Sequence, residues 1–141
     1  MSESTRLKSA RQHLTLAEAR YRSADGLFHL DEALSLLEEV VASDSAEHAT
    51  VARNLAATYA ARIHGTVRER LQTDRAVPEP ELEHLFKVVL LFDQRGFELP
   101  AESRANKIDL VRLLIDRYYE GRPAAEKQAM LDELTKIAQP R

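Results

Sequence analysis

The chain is 141 residues long, 44% hydrophobic and 30% charged, which fits one domain able to bury a core without metal or disulfide support. It has no cysteine, so disulfides, thiolate catalysis and cysteine-ligated zinc are excluded. A net charge of −3 gives no global attraction to nucleic acid or anionic membrane. No run approaches the ~20 apolar residues of a membrane span, and Met1 to Arg11 lacks a signal-peptide layout, so a cytoplasmic protein is expected.

Leu7, Ala10, Leu14, Ala17, Tyr21 and Ala24 recur at spacings of three and four, an a/d seam that predicts one long helix from about Ser4 to Ala24. Asp25-Gly26 is read as its end. Leu30, Ala33, Leu34, Leu37, Val40 and Val41 form the stripe of a second helix running to Ser43, antiparallel to the first. Asp44, with Glu47 three residues on, reads as a capping box opening a third helix. That helix places Ala52, Leu55, Ala56, Tyr59, Ile63 and Val67 in register. Gly65 costs about 1 kcal/mol inside a helix relative to alanine, so a kink or break is expected near His64-Gly65.

The polar stretch from Thr73 to Pro80 carries two prolines and divides the domain into halves, 1–73 and 81–141, with 74–80 as the linker. In Leu85 to Phe92, seven of eight residues are apolar. The acidic residues before this run and Gly96 after it frame a central helix from Glu81 to Arg95, capped by a left-handed glycine. Phe97 and Leu99 are expected to fold back on the core, and Pro100 to sit in the first turn of helix five. Ile108, Val111, Leu114, Ile115 and Tyr118 face inward along that helix, which ends at Gly121. Pro123 opens helix six, with Ala129, Met130, Leu134, Ile137 and Ala138 inward. No stretch alternates with period two, so the fold class is all-α, with six helices arranged as antiparallel hairpins.

Ala17, Tyr21 and Ala24 are echoed by Ala52, Ala56 and Tyr59, each 35 positions later. Asp31-Glu32-Ala33-Leu34 resembles the second helix of a tetratricopeptide repeat, and Asn54-Leu55-Ala56-Ala57-Thr58-Tyr59 the first helix of the next. Tyr118-Tyr119-Glu120-Gly121 leading to Ala129 resembles the hairpin again. Residues 14–64 carry most of the likeness. Ser45 stands where the family closes a repeat with proline, and Arg68 where it packs a small residue. Two architectures remain open: a repeat-type superhelix and a compact six-helix bundle.

Catalytic motifs are lacking. There is no His-Glu-x-x-His, Gly-x-Ser-x-Gly, phosphate loop or dinucleotide fingerprint. Glu81-x-x-His84 supplies half of a di-iron step, and no second such step exists, so no metal and no cofactor are expected. Adjacent acids such as Glu38-Glu39 diverge by ~100° on a helix and make no acid/base pair.

What the sequence offers is arginine, fifteen against five lysines. Residues 1–24 and 51–75 each hold five basic and two acidic side chains. The tetratricopeptide resemblance implies a groove lined by Thr15, Glu18, Arg22, Thr50, Arg53 and Asn54, with Asn54 at the position that bonds a peptide backbone in that family. Glu18 stands where the family's carboxylate clamp has lysine, so a C-terminal carboxylate ligand is not implied. The expected function is a non-catalytic adaptor or regulator, holding an acidic protein or peptide through Arg22 and Arg53. The alternative is a self-associating regulatory domain, dimerising through the N-terminal seam or the Tyr118-Tyr119 edge. Nucleic-acid binding ranks third and a helical enzyme last.

Overall fold

A computed structural model describes residues 5–74, 76–97 and 101–138, the side chains of 134–138 excepted. Six helices follow one another: α1 (Thr5–Ala19), α2 (Ala24–Ser43), α3 (Ala46–Thr73), α4 (Glu79–Gln94), α5 (Ala101–Tyr118) and α6 (Ala124–Ala138). No strand occurs among the described residues, as the sequence led us to expect. None of the described helices is long and apolar enough to cross a membrane.

The seam of α1 is buried inside the chain: Leu7, Ala10, Leu14 and Ala17 are at most 2% exposed, packed chiefly on α2. The seam stops earlier than its spacing suggested. Ser23 takes an extended conformation and its hydroxyl oxygen accepts from the Gly26 amide, which starts α2 at Ala24. Tyr21 is therefore in the turn, Ala24 is exposed, and Asp25-Gly26 opens α2 instead of ending α1. Gly26 is required there by space. A β-carbon would lie 2.0 Å from the Arg20 carbonyl oxygen.

The passage from α2 to α3 also differs in its cap. The Asp44 amide still donates to the Val40 carbonyl at 3.0 Å and so belongs to the end of α2. Ser45 is the N-cap instead, accepting from the His48 amide at 3.2 Å. From there α3 runs 28 residues without interruption, straight through Gly65. Its buried stripe (Ala60, Ile63, His64, Val67, Leu71) lies on both sides of the glycine, and that packing outweighs a local disadvantage of about 1 kcal/mol.

Helix α4 begins at Glu79, two residues earlier than its apolar run suggested, with Pro80 in its first turn. It packs on α2, α3 and α5, burying Leu82, Leu85, Val88, Val89 and Phe92. Its end is the left-handed cap: Gly96 has φ +78, its amide bonds the Asp93 carbonyl, and the Phe97 amide bonds the Phe92 carbonyl. Phe97 folds against the core as expected; Leu99 and Pro100 lie outside the described residues. In α6, Ala129 and Met130 are exposed, correcting the inward assignment, and Leu131 is the residue that meets the core. The side chains of Leu134, Ile137 and Ala138 lie outside the described residues.

Each helix packs on the next, and α1, α2 and α3 pack also on the next but one; among the described residues α1 touches no helix beyond α3. Contacts thus run between helices that are near neighbours in the chain. The two interior glycines should respond oppositely to the same change. Gly26→Ala must force the α1–α2 turn apart and lower stability by about 1–3 kcal/mol. Gly65→Ala, with nothing within 4 Å of the new methyl, should raise it by about 0.4–1 kcal/mol. Urea unfolding of both variants against the parent chain measures this.

Candidate functional site

The two arginines expected to share a groove are at opposite ends of α4. Arg22 donates to Glu81 Oε1 at 2.8 Å, at the start of that helix. Arg70 donates to Glu81 Oε2 at 2.8 Å and to Asp74 at 2.8 Å, so the α1–α2 turn, α3, α4 and the linker meet in one ion network. Burial of Glu81 works against its charge, but hydrogen bonds from Arg70 and Arg22 outweigh that and hold its carboxyl below the usual range. Arg22 is thus a structural residue. Arg53 instead lies beside Arg95 and Gly96, at the far end of α4. Along the helix, Glu81 and Arg95 are separated by about 21 Å.

The reason is register. Thr15 meets Tyr59 at 3.4 Å and Glu18 meets Arg62 at 2.8 Å, pairs 44 residues apart that show α1 and α3 running parallel. The sequence match suggested 35. The nine-residue difference, about 14 Å of helix, separates Glu18 and Arg22 from Arg53. Glu18 is accordingly tied to Arg62, whose guanidinium also lies over the Tyr59 ring at 4.9 Å.

Thr50, Arg53 and Asn54 stay together. At spacings of three and four they form one exposed patch on the first half of α3. The Thr50 hydroxyl donates to the Ala46 carbonyl at 3.0 Å. Arg53 makes no ion pair or hydrogen bond among the described residues. It borders a hollow of about 400 Å³ lined also by Glu38, Val41, Ala42, Arg95, Gly96 and Phe97. Arg95 is already neutralised by Asp31 and Glu38, and its pKa is raised chiefly by the hydrogen bond to Asp31. Of the two arginines at the hollow, Arg53 is the one with no ion pair among the described residues.

A second polar group went unnoticed in the sequence. His64 is 4% exposed, lies edge-on to Phe92, and neither ring nitrogen has a protein partner. Burial pushes its pKa down to about 4; the Val89 carbonyl, near the ring but outside hydrogen-bond geometry, opposes the shift, and the nearby Lys107 charge adds to it. Lys107 is 5% exposed and donates to Asp93 Oδ1 at 2.6 Å, while Asp93 Oδ2 is buried without a partner. Beside His64 a cavity of about 110 Å³ is lined by Ala61, Gly65, Arg68, Ser103 and Asn106. The signal was available. His64 sits on the buried stripe of α3, and Lys107 precedes Leu110 and Val111 by three and four residues.

Glu81 and His84 do not form a metal half-site: Glu81 is held by two arginines, and His84 Nε2 donates to the Tyr21 carbonyl at 2.8 Å. Among the described residues no three histidine or carboxylate side chains gather to hold a metal. His13 and His29 share one hydrogen bond, their Nδ1 atoms 2.9 Å apart, so one ring supplies the N–H and the other the lone pair. Comparison with protein-family models, with curated proteins and with solved structures returns no match.

The buried imidazole gives the fold an acid-sensitive element. The unfolded chain takes up a proton at His64 near pH 6.5 and the folded chain only near 4, so stability falls as pH drops through that window. Between pH 7.5 and 5 the loss should be about 2 kcal/mol. Urea unfolding at both pH values should show His64→Leu losing that much less stability than the parent chain.

Proposed function

We propose that the chain is a non-catalytic interaction module, cytoplasmic in setting, that takes an extended acidic segment of a partner protein in the hollow beside Arg53. The observation that carries this reading is the contrast among the arginines. Arg22, Arg62, Arg70 and Arg95 are all engaged with carboxylates, whereas Arg53 has none among the described residues and borders a hollow of about 400 Å³. A guanidinium offers a carboxylate two parallel N–H donors. Asn54 beside it has the amide that a peptide backbone needs, and Val41, Ala42 and Phe97 supply an apolar wall. The tetratricopeptide resemblance fits a module of this kind. The 44-residue register argues against carrying that family's groove over position by position.

A second reading, self-association, is favoured by one feature. Phe28 is 56% exposed beside a hollow of about 390 Å³ formed with Ala24, Leu27, Asp31, Lys87, Leu91 and Gln94. The α1 seam is not available to a second copy, because it is buried in the hairpin.

The two readings separate with a photo-crosslinking residue placed at Asn54 or at Phe28 and used in the cells of origin. We expect one partner protein to be trapped from Asn54, and Arg53→Glu to weaken its binding at least about tenfold, the loss of a charge-assisted hydrogen bond. Melting should stay within a degree or two, since exposed charges contribute ~0–1 kcal/mol. Arg112→Glu, on the exposed side of α5, should bind normally. Trapping of a second copy of the chain from Phe28, with nothing from Asn54, would replace the first reading by the second.

A further inference from the structure

We propose that His13 and His29 form a binding site for a divalent late transition metal, copper(II) before nickel(II), where α1 packs on α2. The two rings come from different helices, 16 residues apart in the chain, and their Nδ1 atoms meet at 2.9 Å. Both residues are half-buried, so the pair is positioned by its helices and still open to an ion from solvent. The other three histidines offer nothing comparable. His64 is enclosed, His84 spends Nε2 on the Tyr21 carbonyl, and His48 lies 3.5 Å from the Asp44 carboxylate. Imidazole nitrogen is a ligand that copper and nickel favour.

The distance selects the metal. Two nitrogens held at ~2.05 Å from one ion are ~2.9 Å apart at a right angle and ~3.3 Å apart at the tetrahedral angle. The observed 2.9 Å fits the right angle, which belongs to the tetragonal sites of copper(II) and nickel(II). Tetrahedral zinc would need a wider pair and at least three protein ligands. No third histidine or carboxylate joins the pair among the described residues, so water completes the coordination. Copper(II) stands above nickel(II) in the order of divalent affinities. The rings must turn to admit the ion. Their centroids are 5.1 Å apart, so the N–H of one points almost straight at the lone pair of the other. Rotation about Cβ–Cγ, a broad torsion in histidine, brings both lone pairs onto an ion beside the line between them. The ring protonated at Nδ1 passes that proton through water to its own Nε2, so both rings stay neutral and no proton is lost. The bound ion ties α1 to α2 and stabilises the folded chain by mass action.

The test titrates the full metal-free chain at neutral pH with copper(II) chloride and, separately, with the nickel(II) and zinc chlorides. The readouts are the electron paramagnetic resonance spectrum of copper(II), the broadening of histidine ring resonances, and the melting temperature. We expect one copper(II) per chain at micromolar concentration, with coupling to two imidazole nitrogens. Broadening should centre on His13 and His29, and melting should rise. Nickel(II) should bind less tightly and zinc least. His13→Gln and His29→Gln should each weaken copper(II) binding about tenfold or more, because one of two protein ligands is lost. His48→Gln should bind as the parent does. The proposal is overturned if the spectrum shows fewer than two imidazole nitrogens, if broadening centres on other residues, if zinc binds more tightly than copper(II), or if either variant, shown to be folded, binds as tightly as the parent. The parent spectrum and the broadening locate the ion without any variant, so a misfolded variant does not rescue the proposal. Partner capture at Asn54 needs no metal, so failure here leaves the Arg53 reading intact.

Discussion

The unbroken hydrogen-bond ladder of α3 is the constraint from which most of the molecule follows. A helix of 28 residues extends about 42 Å, and every other helix except α6 packs on it. Stopping it at Gly65 would recover about 1 kcal/mol of glycine's helix disadvantage. It would also release Val67 and Leu71, fully buried side chains whose burial stabilises by about 1.5–3 kcal/mol each. The magnitudes favour continuity. With α3 continuous, α1 lies beside it in a 44-residue register, α5 reaches its second half, and His64 is carried into the interior.

The polar groups divide by what that framework does to them. Glu81 is clasped by Arg22 and Arg70, which ties the first turn of α4 to the α1–α2 corner and to the end of α3. Its side chain is only 15% exposed, so removing either arginine would leave a half-buried carboxylate short of a partner. Arg95 is spent in the same manner on α2. Arg53 stands apart from these as a cation at a hollow with no ion pair among the described residues, and His64 as a buried imidazole with neither nitrogen hydrogen-bonded. Groups left unsatisfied by a fold that satisfies their neighbours are where binding is best sought.

Much of the architecture was legible from spacing alone. The seam Leu7, Ala10, Leu14, Ala17 and the run around Val89 both lie in the core, because three-and-four spacing and an unbroken apolar run leave a helix no alternative face. Gly96 was legible because a left-handed C-terminal cap has one favoured residue. The helix ends at Ser23 and Ser45 were not, since neighbouring Asp25-Gly26 and Asp44 carry equally good turn and cap chemistry and only the hydrogen-bond ladder decides between them. The site was less legible than the fold. Thr50, Arg53 and Asn54 form a patch because they share three-and-four spacing within one helix. Arg22 and Arg53 required a register between two helices, and a sequence match of 35 residues could not supply one when α2 and α3 together are longer than such a unit. His64 was passed over as a companion of Gly65, although its place on the stripe of Ile63, Val67 and Leu71 marked it as interior.

Native-state hydrogen exchange of the amides from Gly65 to Glu69 tests the continuity of α3 directly. These amides donate across the glycine to carbonyls one turn earlier if the helix is whole. The account predicts that they exchange as slowly as those from Leu55 to Ala60, opening only with the global transition. Fast exchange confined to Gly65–Glu69, with Leu55–Ala60 still protected, would mean that α3 is two helices. The register, the buried His64 and the cavity beside it would then all have to be abandoned.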